Sequence, residues 1–156
     1  MAIAPRVEAF LNAHGIAFEL VPHKTTGSTH ESAVAANVPD DHIAKAVLVR
    51  DDQGHAMVVV PGDAWVMLDK LNADSGRDFS LDPEVQLEHL FPDCAPGAAP
   101  PLGPAYELPT FLEETITTLA QVYFEAGDHG NLVRVSGPDF MHLLAGVRRG
   151  SFARQD

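Results

Sequence analysis

His42-Ile43-Ala44-Lys45-Ala46-Val47-Leu48-Val49-Arg50-Asp51-Asp52-Gln53-Gly54-His55-Ala56-Met57-Val58-Val59-Val60-Pro61 decides the fold class of this chain. Two β-branched, apolar runs flank a polar Asp51-Asp52-Gln53-Gly54 turn, which predicts two neighbouring strands joined by a short hairpin loop. Both strands read as buried on both faces, because neither alternates cleanly with polar residues. Lys45 is the exception. Side chains alternate along a strand, so Lys45 shares a face with Val47 and Val49, and its ammonium must snorkel to the strand's end or meet an anion.

Working outward toward the N-terminus, Val7, Phe10, Leu11 and His14 recur at helical spacing, with Pro5 at the start and Gly15 as a stop. Ala17 to Val21 reads as a short strand ended by Pro22. A polar loop follows, and Ser28-Thr29-His30-Glu31 has the spacing of a capping box that opens a small Ala-rich helix, stopping near Asn37 and Pro39. Its polar start is placed to face a cleft.

Beyond the hairpin, Gly62 to Met67 continues into a turn, and Leu68, Leu71 and Gly76 suggest one short helix. Phe79 to Leu81 is a brief strand, and Asp82-Pro83-Glu84 opens a helix with Val85, Leu87, Leu90 and Phe91 on its buried side, ending by Pro92. The segment from Pro92 to Pro104 is the densest run of Pro, Gly and small residues, hence a loop. It is either a linker or a rigid loop that exposes backbone N–H groups to a ligand. Tyr106 to Glu114 offers strand material around Phe111 and Leu112, Val122 to Glu125 and Leu132 to Ser136 supply two more strands, and Ser136-Gly137-Pro138-Asp139 starts a last helix bearing Phe140, Leu143 and Leu144. No repeat or regular βαβ rhythm is present. The pattern predicts an α+β domain with a mixed sheet and helices around it.

Composition narrows the class. At 156 residues the chain is one domain by size. Its single cysteine, Cys94, forms no internal disulfide, which fits a reducing, cytoplasmic setting. No signal-peptide pattern or membrane-length apolar run occurs, so no membrane partner is expected. The net charge of −12 opposes a broad electrostatic grip on DNA or RNA, confining any nucleic-acid contact to a local one. Arg148, Arg149 and Arg154 stand in a C-terminal tail, 147–156, expected to be a disordered, solvated end to a single domain over 1–146.

Several chemistries are weakly supported. Histidines at 14, 23, 30, 42, 55, 89, 129 and 142 contain no His-Glu-x-x-His helix and meet no Cys pair, so no metal site and no cofactor is expected. Cys94 beside His129 or His89 is a conceivable nucleophile, although a lone thiol is more often inert. Serine-hydrolase elbows, Walker loops and dinucleotide fingerprints are absent.

Three segments, Ile43-Ala44-Lys45-Ala46-Val47-Leu48-Val49, the Gly97-x-x-x-Pro101 loop leading to Gly103, and Phe124-Glu125-Ala126-Gly127-Asp128-His129, resemble in order the YbaK/ProX family of aminoacyl-tRNA deacylases. That family is similar to the editing domain inserted in bacterial prolyl-tRNA synthetases. The resemblance covers about Val21 to Leu144 and implies a mixed sheet or partial barrel surrounded by short helices. It implies a trans-editing enzyme that hydrolyses the ester of a mischarged tRNA at its 3′ CCA end, with an aminoacyl-tRNA synthetase as a conceivable partner. Lys45 then matches the family lysine that engages the terminal phosphate and adenosine, Gly97 and Pro101 match the loop framing the aminoacyl pocket, and His129 matches a polar position of the site. Ala98, Ala99, Gly103, Gly127, Thr26 and Ser28 are expected to line the substrate. Ala46 departs from the polar residue of some alanine-clearing relatives, against an alanine assignment.

An aminoacyl ester is already activated, so a site that orients the carbonyl, donates to the oxyanion and admits a ribose 2′-hydroxyl or a water needs no strong side-chain base. Amides around Gly97 to Ala99 are expected to orient the carbonyl, and the small Ala98 and Ala99 predict a pocket for a small amino acid. The alternatives are a non-catalytic module of the same fold that binds a tRNA end, nucleotide or synthetase, and an unrelated metal- or thiol-dependent hydrolase.

Overall fold

A computed structural model describes residues 3–24, 29–82, 89–95 and 98–155. Among them the hairpin forms as its sequence predicts, with β2 over Ala44–Asp51 and β3 over Gly54–Pro61 paired antiparallel, Lys45 opposite Val60. Five strands build the main sheet in the order β5-β2-β3-β6-β9, where β5 is Ser80–Leu81, β6 Thr110–Glu113 and β9 Arg148–Gly150. Contacts β3–β6 and β6–β9 are parallel and β2–β3 and β2–β5 antiparallel, giving the mixed sheet expected. The sheet stays open, with β5 and β9 as edges.

A second sheet, β1-β8-β7, joins Glu19–Pro22, Asn131–Ser136 and Gln121–Glu125, all antiparallel. It meets the main sheet through a parallel bridge between Ile43, just before β2, and Tyr123 of β7. A two-stranded ribbon pairs β4, Ala64–Val66, with β10, Ala153–Gln155.

The hairpin is a wall between two cores. Even positions of β2 (Ala44, Ala46, Leu48) and odd positions of β3 (Met57, Val59) pack into the larger one, with Phe124, Phe140, Leu112 and the first helix α1, Pro5–Ala13, through Val7 and Leu11. Val47, Val49, Ala56, Val58 and Val60 pack on the opposite side with Phe79, Phe111, Phe152 and Leu71 of α3, Leu68–Ser75. Burying both faces is what a run of consecutive valines demands, each such side chain contributing roughly 1.5–3 kcal/mol. Helix α2, Thr29–Ala36, covers a third cluster of Ala33, Ile43 and Leu132. Helix α4, Gly137–Leu143, starts at Ser136, whose Oγ accepts from Asp139 N at 3.1 Å as the capping spacing predicts.

The expected disordered tail is corrected by the structure. Residues 148–150 and 153–155 are strands β9 and β10. Phe152 between them is fully buried, and its amide and that of Ala153 donate to the buried Glu113 carboxylate at 2.8 Å each. The strand expected around Phe111 and Leu112 forms as β6, after Gly103–Tyr106 turns as a 3-10 helix. The helix expected from Asp82 onward lies mostly outside the described residues.

Candidate functional site

Lys45 is half-buried near the start of β2, and its Nζ donates to the Gly62 carbonyl at 3.2 Å. Gly62 itself is pinned: its N–H donates to Asp40 O at 3.1 Å and Ile43 O at 2.8 Å, and a Cβ there would press within 2.8 Å of Asp40 O. Burial pushes the Lys45 ammonium below its ordinary value, opposed by the nearby Asp63 and Asp40 carboxylates. Of the two sequence alternatives, the side chain reaches the strand's end, where the Asp63 and Asp40 carboxylates act on it electrostatically.

Neighbouring β7 carries a second buried charge. Ile43, just before β2, and Tyr123 of β7 share the α2-facing cluster and form an isolated parallel bridge, so the chain enters β2 beside the strand that ends at Glu125. Glu125 is 2 % exposed and His129 5 %. Their Oε1 and Nδ1 are 3.7 Å apart. Burial pushes the Glu125 carboxyl above its ordinary range, countered by the Ser32 hydroxyl on α2 and by the His129 and His23 imidazoles, with Asp128 adding to the rise.

Backbone geometry returns His129 toward Glu125. After β7 the chain turns through Gly127 at φ +118° and His129 at φ +58°, the left-handed region. Asp128 locks the turn, its Oδ1 accepting from Gly130 N at 2.9 Å and Asn131 N at 3.0 Å and its Oδ2 from Asn131 Nδ2 at 2.9 Å. His23, just past β1, donates its N–H to Gly130 O at 2.9 Å and closes the same loop from the other side.

The Pro/Gly-rich loop leans on this turn. Ala95 N donates to Gly127 O at 2.7 Å, and a Cβ on Gly127 would lie 2.8 Å from Ala4 Cβ and 3.3 Å from Cys94 Sγ. The residues just ahead of Gly97 are thus in direct contact with the third segment. Gly97, Thr26 and Ser28 fall outside the described residues. Ala98 is fully buried, and its amide donates to Ala95 O at 3.1 Å, so the expectation that this amide orients a substrate carbonyl is corrected. Ala99 is half-buried against the larger core and Pro101 is buried. Gly103 answers a packing need: a Cβ would fall 1.8 Å from Thr110 Oγ1, whose hydroxyl donates to Leu108 O at 2.9 Å.

Cys94 is poorly suited to be a nucleophile. Its Sγ lies 3.4 Å from Tyr106 Oη and 3.5 Å from Asp93 Oδ1. Burial pushes the thiol up to about 12, only partly opposed by the Tyr106 hydrogen bond. Among the described residues no group of three or more His, Cys, Asp or Glu is arranged to hold a metal ion.

Sequence reasoning quoted Glu125 within a segment but gave it no role, and gave none to Ser32 or His23. The available signal was a carboxylate ending the apolar run Val122-Tyr123-Phe124, the same anomaly that singled out Lys45.

Over residues 23–143 the chain matches the aminoacyl-tRNA editing domain, and it belongs to that family. Editing of aminoacyl-tRNA, by deacylation, is the role the family defines. Three solved structures share the fold. The hypothetical protein APE2540 is 22 % identical, with a TM-score of 0.84 over 96 % of this chain and 99 % of that one. A protein described as a candidate trans-editing enzyme for prolyl tRNA synthetase is 23 % identical, with a TM-score of 0.80 over 97 % and 96 %. A scaffold used for computational epitope grafting is 21 % identical, with a TM-score of 0.82 over 98 % and 97 %. A search of curated protein sequences finds no match.

Proposed function

We propose that this chain is a free-standing deacylase of the YbaK/ProX type, which hydrolyses the ester of a mischarged tRNA carrying a small amino acid. The observation that carries the reading is the half-buried Lys45 ammonium near the start of β2, a strand entered beside β7, which ends at Glu125 and leads into the turn at His129. An ammonium has three donors, and among the described residues Gly62 O takes one of them. The remaining donors suit a phosphate of the terminal nucleotide, where a compact point charge is effective. A water positioned by the ribose 2′-hydroxyl attacks the ester carbonyl and gives up a proton, the bond to the 3′ oxygen breaks, that oxygen takes a proton, and the amino acid leaves as the free acid.

The small side chains of Ala98 and Ala99 in the Pro/Gly-rich loop are the ground for a small aminoacyl group. Size alone discriminates weakly, about 1–3 kcal/mol per methylene. The net charge of −12 favours contact limited to the CCA end or delivery by a synthetase, in the cytoplasm. The fold shared with the candidate trans-editing enzyme agrees with action in trans.

A panel of tRNAs charged with glycine, alanine, serine, cysteine, proline and bulkier amino acids tests the reading. Release confined to the smaller ones is expected. Release favouring bulky residues contradicts the small-substrate assignment, and binding of the CCA end with no release anywhere favours the non-catalytic module.

A further inference from the structure

Glu125 is an expensive residue to keep where it is. Neither of its carboxylate oxygens accepts a hydrogen bond of ordinary geometry among the described residues, and the nearby groups that ease its burial are the Ser32 hydroxyl and the His129 and His23 imidazoles. A leucine would fill such a strand position at no electrostatic cost. The carboxylate is retained in a specific relation to one ring, because the left-handed turn at His129 and the three Asp128 hydrogen bonds hold that imidazole with Nδ1 facing Oε1.

We propose that Glu125 is a positioning residue for His129: its carboxylate faces Nδ1, fixes the proton there, and so sets Nε2 as the ring's proton acceptor toward the substrate. This rests on the deacylase reading above. A carboxylate behind an imidazole selects the tautomer and orientation and stabilises the imidazolium formed when the ring takes a proton. In the reaction that proton comes from the attacking water, and it passes from the ring to the departing 3′ oxygen. No further reactant is required.

The 3.7 Å separation exceeds a hydrogen bond. Such contacts are commonly long in unliganded sites and tighten when substrate binds. Groups facing the pair from the packed elements are His23 beyond β1, Ser32 on α2 and Asp128 on the loop. His129 is held by a locked turn with its Nδ1 aimed at the carboxylate. A purely structural buried charge would account for the cost but not for that aim.

The test is a double-mutant cycle with Glu125→Gln, His129→Ala and the pair, read as kcat and KM on the best charged tRNA of the panel, beside side-chain ¹⁵N NMR of His129. Glu125→Gln is expected to lower kcat about tenfold or more with KM changed less than about threefold. The double variant is expected to be no slower than His129→Ala alone. The Nδ1-protonated signature of His129 is expected in the wild type and lost in Glu125→Gln. Additive effects in the cycle, or a His129 tautomer indifferent to Glu125→Gln, would overturn the proposal. Should the wild type release no amino acid at all, the deacylase reading fails, and the NMR comparison still decides whether Glu125 sets the tautomer. Glu125→Asp, which keeps the charge on a shorter arm, is expected to recover part of kcat, and a variant as slow as Glu125→Gln counts against the charge.

Discussion

Replacing Glu113 with alanine is expected to unravel the C-terminal strands before the rest of the domain. Glu113 is 2 % exposed and sits at the end of β6. Its Oε1 accepts from Phe152 N and Ala153 N, both at 2.8 Å, and its Oε2 from Thr115 N at 3.1 Å. Hydrogen bonds to a charged group contribute about 1.5–3 kcal/mol each, and a buried amide left without an acceptor costs about 1–3 kcal/mol. Phe152 is fully buried, whereas Thr115 is exposed and Ala153 only half-buried, so water can replace part of the lost bonding at those two. The three contacts share one side chain and do not add, which places the total near 3–5 kcal/mol. For a domain of this size that lowers Tm by roughly 6–20 °C. Urea unfolding and residue-resolved hydrogen exchange are the assays. Protection should vanish first at Phe152 and Ala153 while β7 and β8 keep theirs. A variant within about 0.5 kcal/mol of wild type, or uniform loss of protection across the domain, would refute this account of how the C-terminus is held.

Other outcomes follow from individual contacts. Hydrogen bonds from Arg77, whose Nη2 lies 2.6 Å from Oδ1, hold the Asp51 carboxyl down to about 2 despite the opposing effect of burial. A depressed carboxylate stabilises the fold above its unfolded value near 3.9 and loses that contribution as pH falls toward 2, so Asp51→Asn should flatten the stability change between about pH 5 and pH 2. Equal acid sensitivity of both proteins would contradict it. Cys94, its thiol pushed up to about 12, should react with iodoacetamide at pH 8 far more slowly than free cysteine, and Cys94→Ala should retain deacylation; fast labelling or lost activity would revive a thiol mechanism. Gly127→Ala combines φ +118° with a contact 2.8 Å from Ala4 Cβ, and a loss of about 2 kcal/mol or more is expected by thermal melting, with a neutral result arguing against this packing of the turn.

How much of this was legible depends on what each residue's neighbours are. The β2–β3 hairpin was readable because its valines need burial on both sides and its Asp51-Asp52-Gln53-Gly54 turn is local. The Ser136 cap and the left-handed Gly76 closing α3 were equally local signals. Strands β9 and β10 were hidden, since Arg148, Arg149 and Arg154 are exposed on edge strands and only Phe152 betrays burial. Their fixing point, Glu113, lies far back in sequence, and no local pattern pairs it with Phe152. Lys45 was visible as a charge in an apolar strand. Glu125 gave the same sign, but its partnership with His129 depends on a left-handed turn that periodicity does not encode.

The central claim is that Lys45 serves the reaction. The direct measurement is kcat/KM for amino-acid release from the preferred charged tRNA by wild type, Lys45→Ala and Lys45→Arg, with circular dichroism confirming folding. The account predicts a loss of at least about 100-fold in Lys45→Ala, equal to about 2.7 kcal/mol of transition-state stabilisation, with partial activity in Lys45→Arg. A folded Lys45→Ala protein that releases the amino acid at the wild-type rate would contradict it.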